Sequence, residues 1–215
     1  MINLKTILCF ITSIIFFINV SYAQEINYGL SLGLSKTSGI YDQDRYNILS
    51  NSEINYNIMA LVYLPSNSNF RAQTGLKYFK AGYNLDLNGR SFVGPNPIKY
   101  DINLSFIAIP FNLNYTLPFM SNVYLIGGFE AAYLISAFSD ILYDDKSSLY
   151  LDIYDRLNNF NVFLNLGFGL SVPFQSLTLF IQPEYTRSVK SLSESSTNGS
   201  ASNLESLTLN VGFRF

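Results

Sequence analysis

This sequence has no histidine and one cysteine, Cys9. Acid–base or nucleophilic catalysis would have to rest on carboxylates, and no Asp or Glu pair stands beside a serine in a motif known to hydrolyse or transfer acyl groups. No catalytic residue is therefore assigned, no cofactor is expected, and the chain does not read as an enzyme. Five aspartates, Asp140, Asp144, Asp145, Asp152 and Asp155, crowd residues 139–159. Their spacing matches no calcium-binding loop, so the expectation is a solvated acidic loop and no metal site. Five other charges stand out for the face they occupy. Arg71, Lys77, Glu130, Glu184 and Arg214 lie in strongly alternating segments, on the side that also carries glycine, asparagine and serine.

Those five matter through the elements that must hold them. Eight segments of ten or more residues alternate apolar with small or polar side chains, at residues 26–35, 54–64, 70–83, 101–116, 122–136, 160–172, 177–187 and 204–215. A period of two is the strand period, and an even number of such segments suits a membrane barrel. The connections at 65–69, 117–121 and 173–176 are short and rich in Pro, Asn and Ser. Those at 36–52, 84–100, 137–159 and 188–203 are long and polar. Short turns on one side and long loops on the other are the asymmetry of outer-membrane barrels. The fold class expected is all-β: an eight-stranded antiparallel up-and-down transmembrane β-barrel, with both termini on the periplasmic side.

The N-terminus supports that address. Lys5 supplies a positive charge, residues 7–20 form an apolar run too short to span a bilayer, and Ser21-Tyr22-Ala23 offers small residues at a cleavage site. Residues 1–23 are read as a cleaved signal peptide and 24–215 as the barrel domain. Cleavage removes Cys9 and leaves a chain without thiol chemistry. Charged residues make up only 13% of the chain while aromatics reach 16%, a mixture odd for a soluble domain. The net charge of -2, with no dense basic cluster, excludes a nucleic-acid surface.

Large aliphatic and aromatic side chains on one face would meet lipid, and the Gly/Asn/Ser face would fill an interior just wide enough for side chains. Counting from the short turns, Lys77 lies seven residues beyond Phe70, and Glu130 and Glu184 each lie eight beyond Asn122 and Ser176. These three should share mid-height. Arg71 and Arg214 start nearer the periplasmic end, with side chains long enough to climb toward the glutamates. A lone charge in a narrow interior is costly, so a paired lumen charge cluster is expected, as a structural plug rather than a gate. In the fourth segment Ile102, Leu104 and Phe106 hold one parity and Ile107, Ile109 and Phe111 the other. That slip, just ahead of Pro110, predicts a strand bulge there.

Several segments resemble the PorT-like outer-membrane β-barrel proteins, a family of small barrel domains that includes components tied to the type IX secretion system. They are Gln73-Thr74-Gly75-Leu76-Lys77-Tyr78 and Phe106-Ile107-Ala108-Ile109-Pro110-Phe111, then Leu125-Ile126-Gly127-Gly128, Leu166-Gly167-Phe168-Gly169-Leu170 and the terminal Leu209-Asn210-Val211-Gly212-Phe213-Arg214-Phe215. Ala108 departs from the acidic residue often found at that place. The resemblance implies a barrel fold in a Gram-negative cell envelope, with Phe213 and Phe215 resembling the C-terminal signal read by the barrel-assembly machinery. The functional expectation is a non-enzymatic structural, interaction or envelope-assembly role exercised through long outer loops. The alternative is a small-solute channel or ligand-binding barrel. Expected partners are outer-membrane lipid, the assembly machinery and envelope or secretion components.

Overall fold

The computed structural model describes residues 26–40, 49–64, 69–86, 96–192 and 203–215. The leader expected at 1–23 lies outside the described residues, as do 65–68 of the first short turn and 193–202 of the last loop. Nine strands follow in order: β1 (Asn27–Ile40), β2 (Leu49–Tyr63), β3 (Phe70–Asp86), β4 (Pro97–Leu117), β5 (Met120–Tyr143), β6 (Ser148–Asp152), β7 (Phe160–Phe174), β8 (Leu177–Ser188) and β9 (Asn203–Arg214). Antiparallel pairing runs β1–β2–β3–β4–β5–β7–β8–β9 and returns to β1, closing an eight-stranded barrel. At the seam Tyr28 N donates to Phe215 O at 3.0 Å and Phe215 N donates to Tyr28 O at 2.9 Å. Closure leaves no free edge, so every strand of the wall has both ladders satisfied.

Each of the eight alternating segments is one stave of that wall. The staves are longer at the loop end than alternation alone suggests: β5 runs on to Tyr143, inside what reads as the 137–159 loop. There β6 folds back onto it, pairing Ser148 with Leu142 and Asp152 with Phe138. The five-residue strand was missed because its exposed outer-end side chains carry no clean alternation. At the other end the turns are tight. Pro118 and Phe119 join β4 to β5, while Gln175 and Ser176 join β7 to β8, with Gln175 at φ 53°, the left-handed backbone that the favoured two-residue hairpin turns use.

The outer surface is a continuous apolar belt. Leu30, Leu32 and Leu34, then Ile107, Ile109, Phe111 and Leu113, then Leu164, Leu166, Phe168 and Leu170, all lie exposed on it. Such a surface exceeds anything a soluble monomer presents to water. Aromatic rings edge it. At the short-turn end Tyr28, Phe213 and Phe215 neighbour one another and Phe70 lies 4.7 Å from Tyr115; at the loop end Tyr56 lies 6.2 Å from Tyr78. Two aromatic girdles around an apolar band are the signature of a strand wall set in a bilayer.

The parity slip in β4 has a different origin from the one expected. The β3–β4 register is constant from Phe70↔Tyr115 to Asp86↔Lys99, so β4 carries no bulge against β3, and Pro110 sits buried on the inward row. The irregularity lies between Ser105 and Phe106 on the β5 side, where Ser105 pairs with Ser136 and Phe106 with Leu134. The extra residue is Ile135, on the neighbouring strand. Pro110 is met instead by a gap in the β3–β4 pairing opposite Gly75 and Leu76, as befits a residue without an N–H. Leu104 and Phe106 point inward along with Ala108, Pro110 and Asn112. What changes near Phe106 is the chemistry of the two faces. Below it Ile107 to Leu113 are apolar outside; above it Ser105 and Asn103 are polar outside and the hydrocarbon has moved in. β3 does the same, from outward Leu76 and Tyr78 to outward Lys80, Asn84 and Asp86. The outer boundary of the apolar belt passes between these residues.

Candidate functional site

Among the described residues the wall gathers its buried charged side chains, Lys77, Glu130 and Glu184, in the lumen. At mid-height Lys77 on β3 reaches Glu130 on β5, with Nζ to Oε1 at 2.6 Å and exposures of 4% and 1%. The register explains the meeting. Lys77 stands opposite Ala108, and Ala108 opposite Ala132, which puts Glu130 one inward step from the level of Lys77 across a strand bearing only a methyl group. Here the carboxylate that neutralises Lys77 comes from the next strand.

Amides complete the layer. Asn165 Nδ2 donates to the same Glu130 oxygen at 2.9 Å and makes a longer 3.4 Å contact with Asn112 Oδ1. Asn114 Nδ2 donates to Gln73 Oε1 at 2.8 Å. Glu184 on β8 is buried in the same layer, within electrostatic range of Lys77 and Glu130 but without a salt bridge to Lys77. Gly33 gives this layer room, because a methyl group there would fall on the side-chain amides of Asn57 and Asn210.

Hydrocarbon closes the loop side. Phe79, Phe106 and Phe163 form a three-ring cluster, stacked at 4.9 Å for the first pair and edge-on at 5.7 Å for the other two. Ala81, Leu104, Leu134, Leu192 and Leu204 pack around it. The Lys77 ammonium lies 5.1 Å from the Phe79 ring, bridging the polar and apolar layers. This cluster was invisible to a reading that assigned large apolar side chains to the outer face. The usable signal was the coordinated exchange of apolar parity in β3 and β4.

Toward the short turns Met59, Leu61, Tyr63 and Phe180 make a smaller apolar cluster. Beside it Tyr124 lies across Gly169, where any side chain would displace its ring, and accepts a hydrogen bond from Gln182 Nε2 at 2.8 Å. Arg71 and Arg214 do not climb to the glutamates. The Arg214 guanidinium sits 5.3 Å from the Tyr63 ring, and both arginines line a cavity of about 170 Å3 at the mouth. The tyrosine and phenylalanine layer stands between them and Glu184, so the predicted five-membered cluster divides into a mid-height pair with Glu184 and a separate arginine mouth.

The acidic loop uses its carboxylates locally. Asp145 Oδ1 accepts from both the backbone and the hydroxyl of Ser147, which pins the β5–β6 turn around Lys146 at φ 66° and holds the Asp145 carboxyl below the usual range. Asp144 accepts two bonds from Asn96 at 3.1 Å, and Asp152 accepts from Tyr154 N at 2.9 Å. Among the described residues no three Asp or Glu side chains converge as metal ligands would.

Comparison with solved structures finds barrels of low sequence identity. The attachment invasion locus protein Ail of Yersinia pestis, in complex with sucrose octasulfate, is 12% identical over 89% of this chain and 99% of its own, with a TM-score of 0.46. Neisserial surface protein A is 11% identical over 87% and 95%, at 0.47. A major outer membrane protein of Thermus thermophilus is 10% identical over 89% and 100%, also at 0.47. None of the curated protein sequences matches this chain. A family model does, over residues 22–194, most of the barrel and its filled lumen. On that match and its closed wall, the chain belongs to the outer membrane protein beta-barrel domain family, which places it in the outer membrane.

Proposed function

We propose that this protein is a non-conducting, non-enzymatic barrel that works as an interaction platform through its long-loop end, in envelope assembly or as a secretion accessory. The observation that carries this reading is the filled lumen: three phenylalanines, a buried ion pair with its amides, and a tyrosine–phenylalanine layer occupy successive heights. The void beside Lys77 and Glu130 measures about 30 Å3, roughly one water by volume. Binding is then left to the loop side, where the β5–β6 hairpin stands beyond the belt with Tyr150 stacked on Phe138 at 5.0 Å.

The PorT-like segments support placing the chain in that branch of the family, and the short turns support termini that face the periplasm. Residues 1–23 would direct export, and Phe213 and Phe215 would be read by the barrel-assembly machinery. Conductance in planar bilayers and crosslinking in whole cells from Tyr150 test the reading together. Absent unitary currents with capture of a specific envelope protein are expected. Stable ohmic currents would instead establish the small-solute channel.

A further inference from the structure

We propose that the short-turn mouth of the lumen is a binding site for a small oxyanion of the phosphate class, held between Arg71 and Arg214. The two side chains enter one cavity of about 170 Å3 from strands on opposite sides of the β1–β2 pair. The ion pairs among the described residues are Lys77–Glu130 and Lys99–Asp101, and neither includes these arginines. The turn at 65–68, next to Arg71 in sequence, contains no Asp or Glu. The buried carboxylates among the described residues, Glu130 and Glu184, lie in the layer of Lys77. Two guanidiniums thus share one mouth with no carboxylate paired to either among the described residues.

Geometry selects the kind of anion. The Arg214 guanidinium carbon lies 5.3 Å from the Tyr63 ring centre, a cation–π distance that restrains it at the mouth, and a guanidinium offers a fork of N–H donors of the sort phosphate and sulfate accept. Thr116, Ser121 and Thr178 add hydroxyls to the lining. The cavity holds roughly six waters at about 30 Å3 each, enough for a tetrahedral oxyanion with part of its hydration but below the roughly 300 Å3 at which pockets for larger organic ligands begin. Both arginines lie on inward rows, so the ligand is a solute entering the mouth rather than a headgroup of the surrounding lipid. This assignment stands whichever way the barrel faces and does not rest on the loop-end role.

Titration calorimetry of the detergent-folded protein with sodium phosphate, and in parallel sodium sulfate, at constant ionic strength tests it. One saturable site is expected, weakened at least tenfold by Arg71→Gln and by Arg214→Gln and lost in the double variant. Arg214→Lys, which keeps the charge but not the fork, should fall between. Heat-dependent gel mobility confirms that each variant is folded. If the double variant does not fold, the single variants decide. Undiminished phosphate affinity in both overturns the proposal, as does wild-type protein that binds no phosphate. Equal losses in Lys36→Gln and Lys80→Gln, whose side chains sit on the outer face, would likewise overturn it by showing adsorption to any cation.

Discussion

Along β3, β4 and β5 the loop-side half of the lumen is lined mainly by hydrocarbon, whereas the middle and short-turn parts are amides, carboxylates, hydroxyls and arginines around a small apolar cluster, although the same eight strands wall both. Along β4 the inward row runs Leu104, Phe106, Ala108, Pro110, Asn112, Asn114, from apolar to polar without leaving the lumen. Its outward neighbours run the opposite way, from Asn103 and Ser105 to Ile107, Phe111 and Leu113. The difference shows that the medium outside the wall decides what the wall can hold inside. Where hydrocarbon surrounds the barrel, apolar side chains go outward and the lumen is left to polar groups, among them the Lys77–Glu130 pair and the amides beside it. Where the strands rise beyond it into water, apolar side chains turn in, as in a soluble barrel.

The comparison breaks most readily at its apolar end. Phe106, with no exposure and a ring stacked on Phe79, should cost about 4 kcal/mol as Phe106→Ala, read as a lowered urea midpoint of the detergent-folded barrel. In the polar half Glu130→Ala should cost about 3 kcal/mol, because it strands the Lys77 ammonium in the interior. Lys77→Met in that background should restore part of the loss, since it removes the orphaned charge. If both single changes were neutral, the mid-height layer would not be a stabilising plug.

The boundary between the halves can be located from outside. Phe111→Arg, in the middle of the outward apolar row, should cost roughly 2–3 kcal/mol on refolding into lipid, whereas Ser105→Arg, three outward positions higher on the same strand, should cost less than about 1 kcal/mol. Equal costs would mean that the exchange of faces in β4 does not mark the hydrocarbon edge. Apart from the Ser105→Arg control, the smallest equilibrium effect is expected at the seam. Deleting Phe215 removes two backbone hydrogen bonds to Tyr28, about 2 kcal/mol together, yet outer-membrane insertion in cells should fall by more than that loss explains. Unchanged insertion would reduce the terminal aromatic to a member of the girdle.

Alternation with period two determined the number of staves, the face each residue takes in most of them and which ends carry the long loops, because a pleated strand leaves a side chain no other choice. Lys77, Glu130 and Glu184 were therefore legible as inward, and residues 204–215 as the segment that forms the closing strand. Which inward groups touch was not legible, because it depends on the stagger between strands. The ladder through Ala108 brings Glu130 to Lys77, while the same wall keeps Arg71 and Arg214 below Tyr63 and Tyr124. The phenylalanine cluster, the extra residue at Ile135 and the return of β6 onto β5 were also decided only in three dimensions. Each depends on where a strand crosses the edge of the apolar belt or meets a neighbour, and a one-strand pattern carries neither quantity.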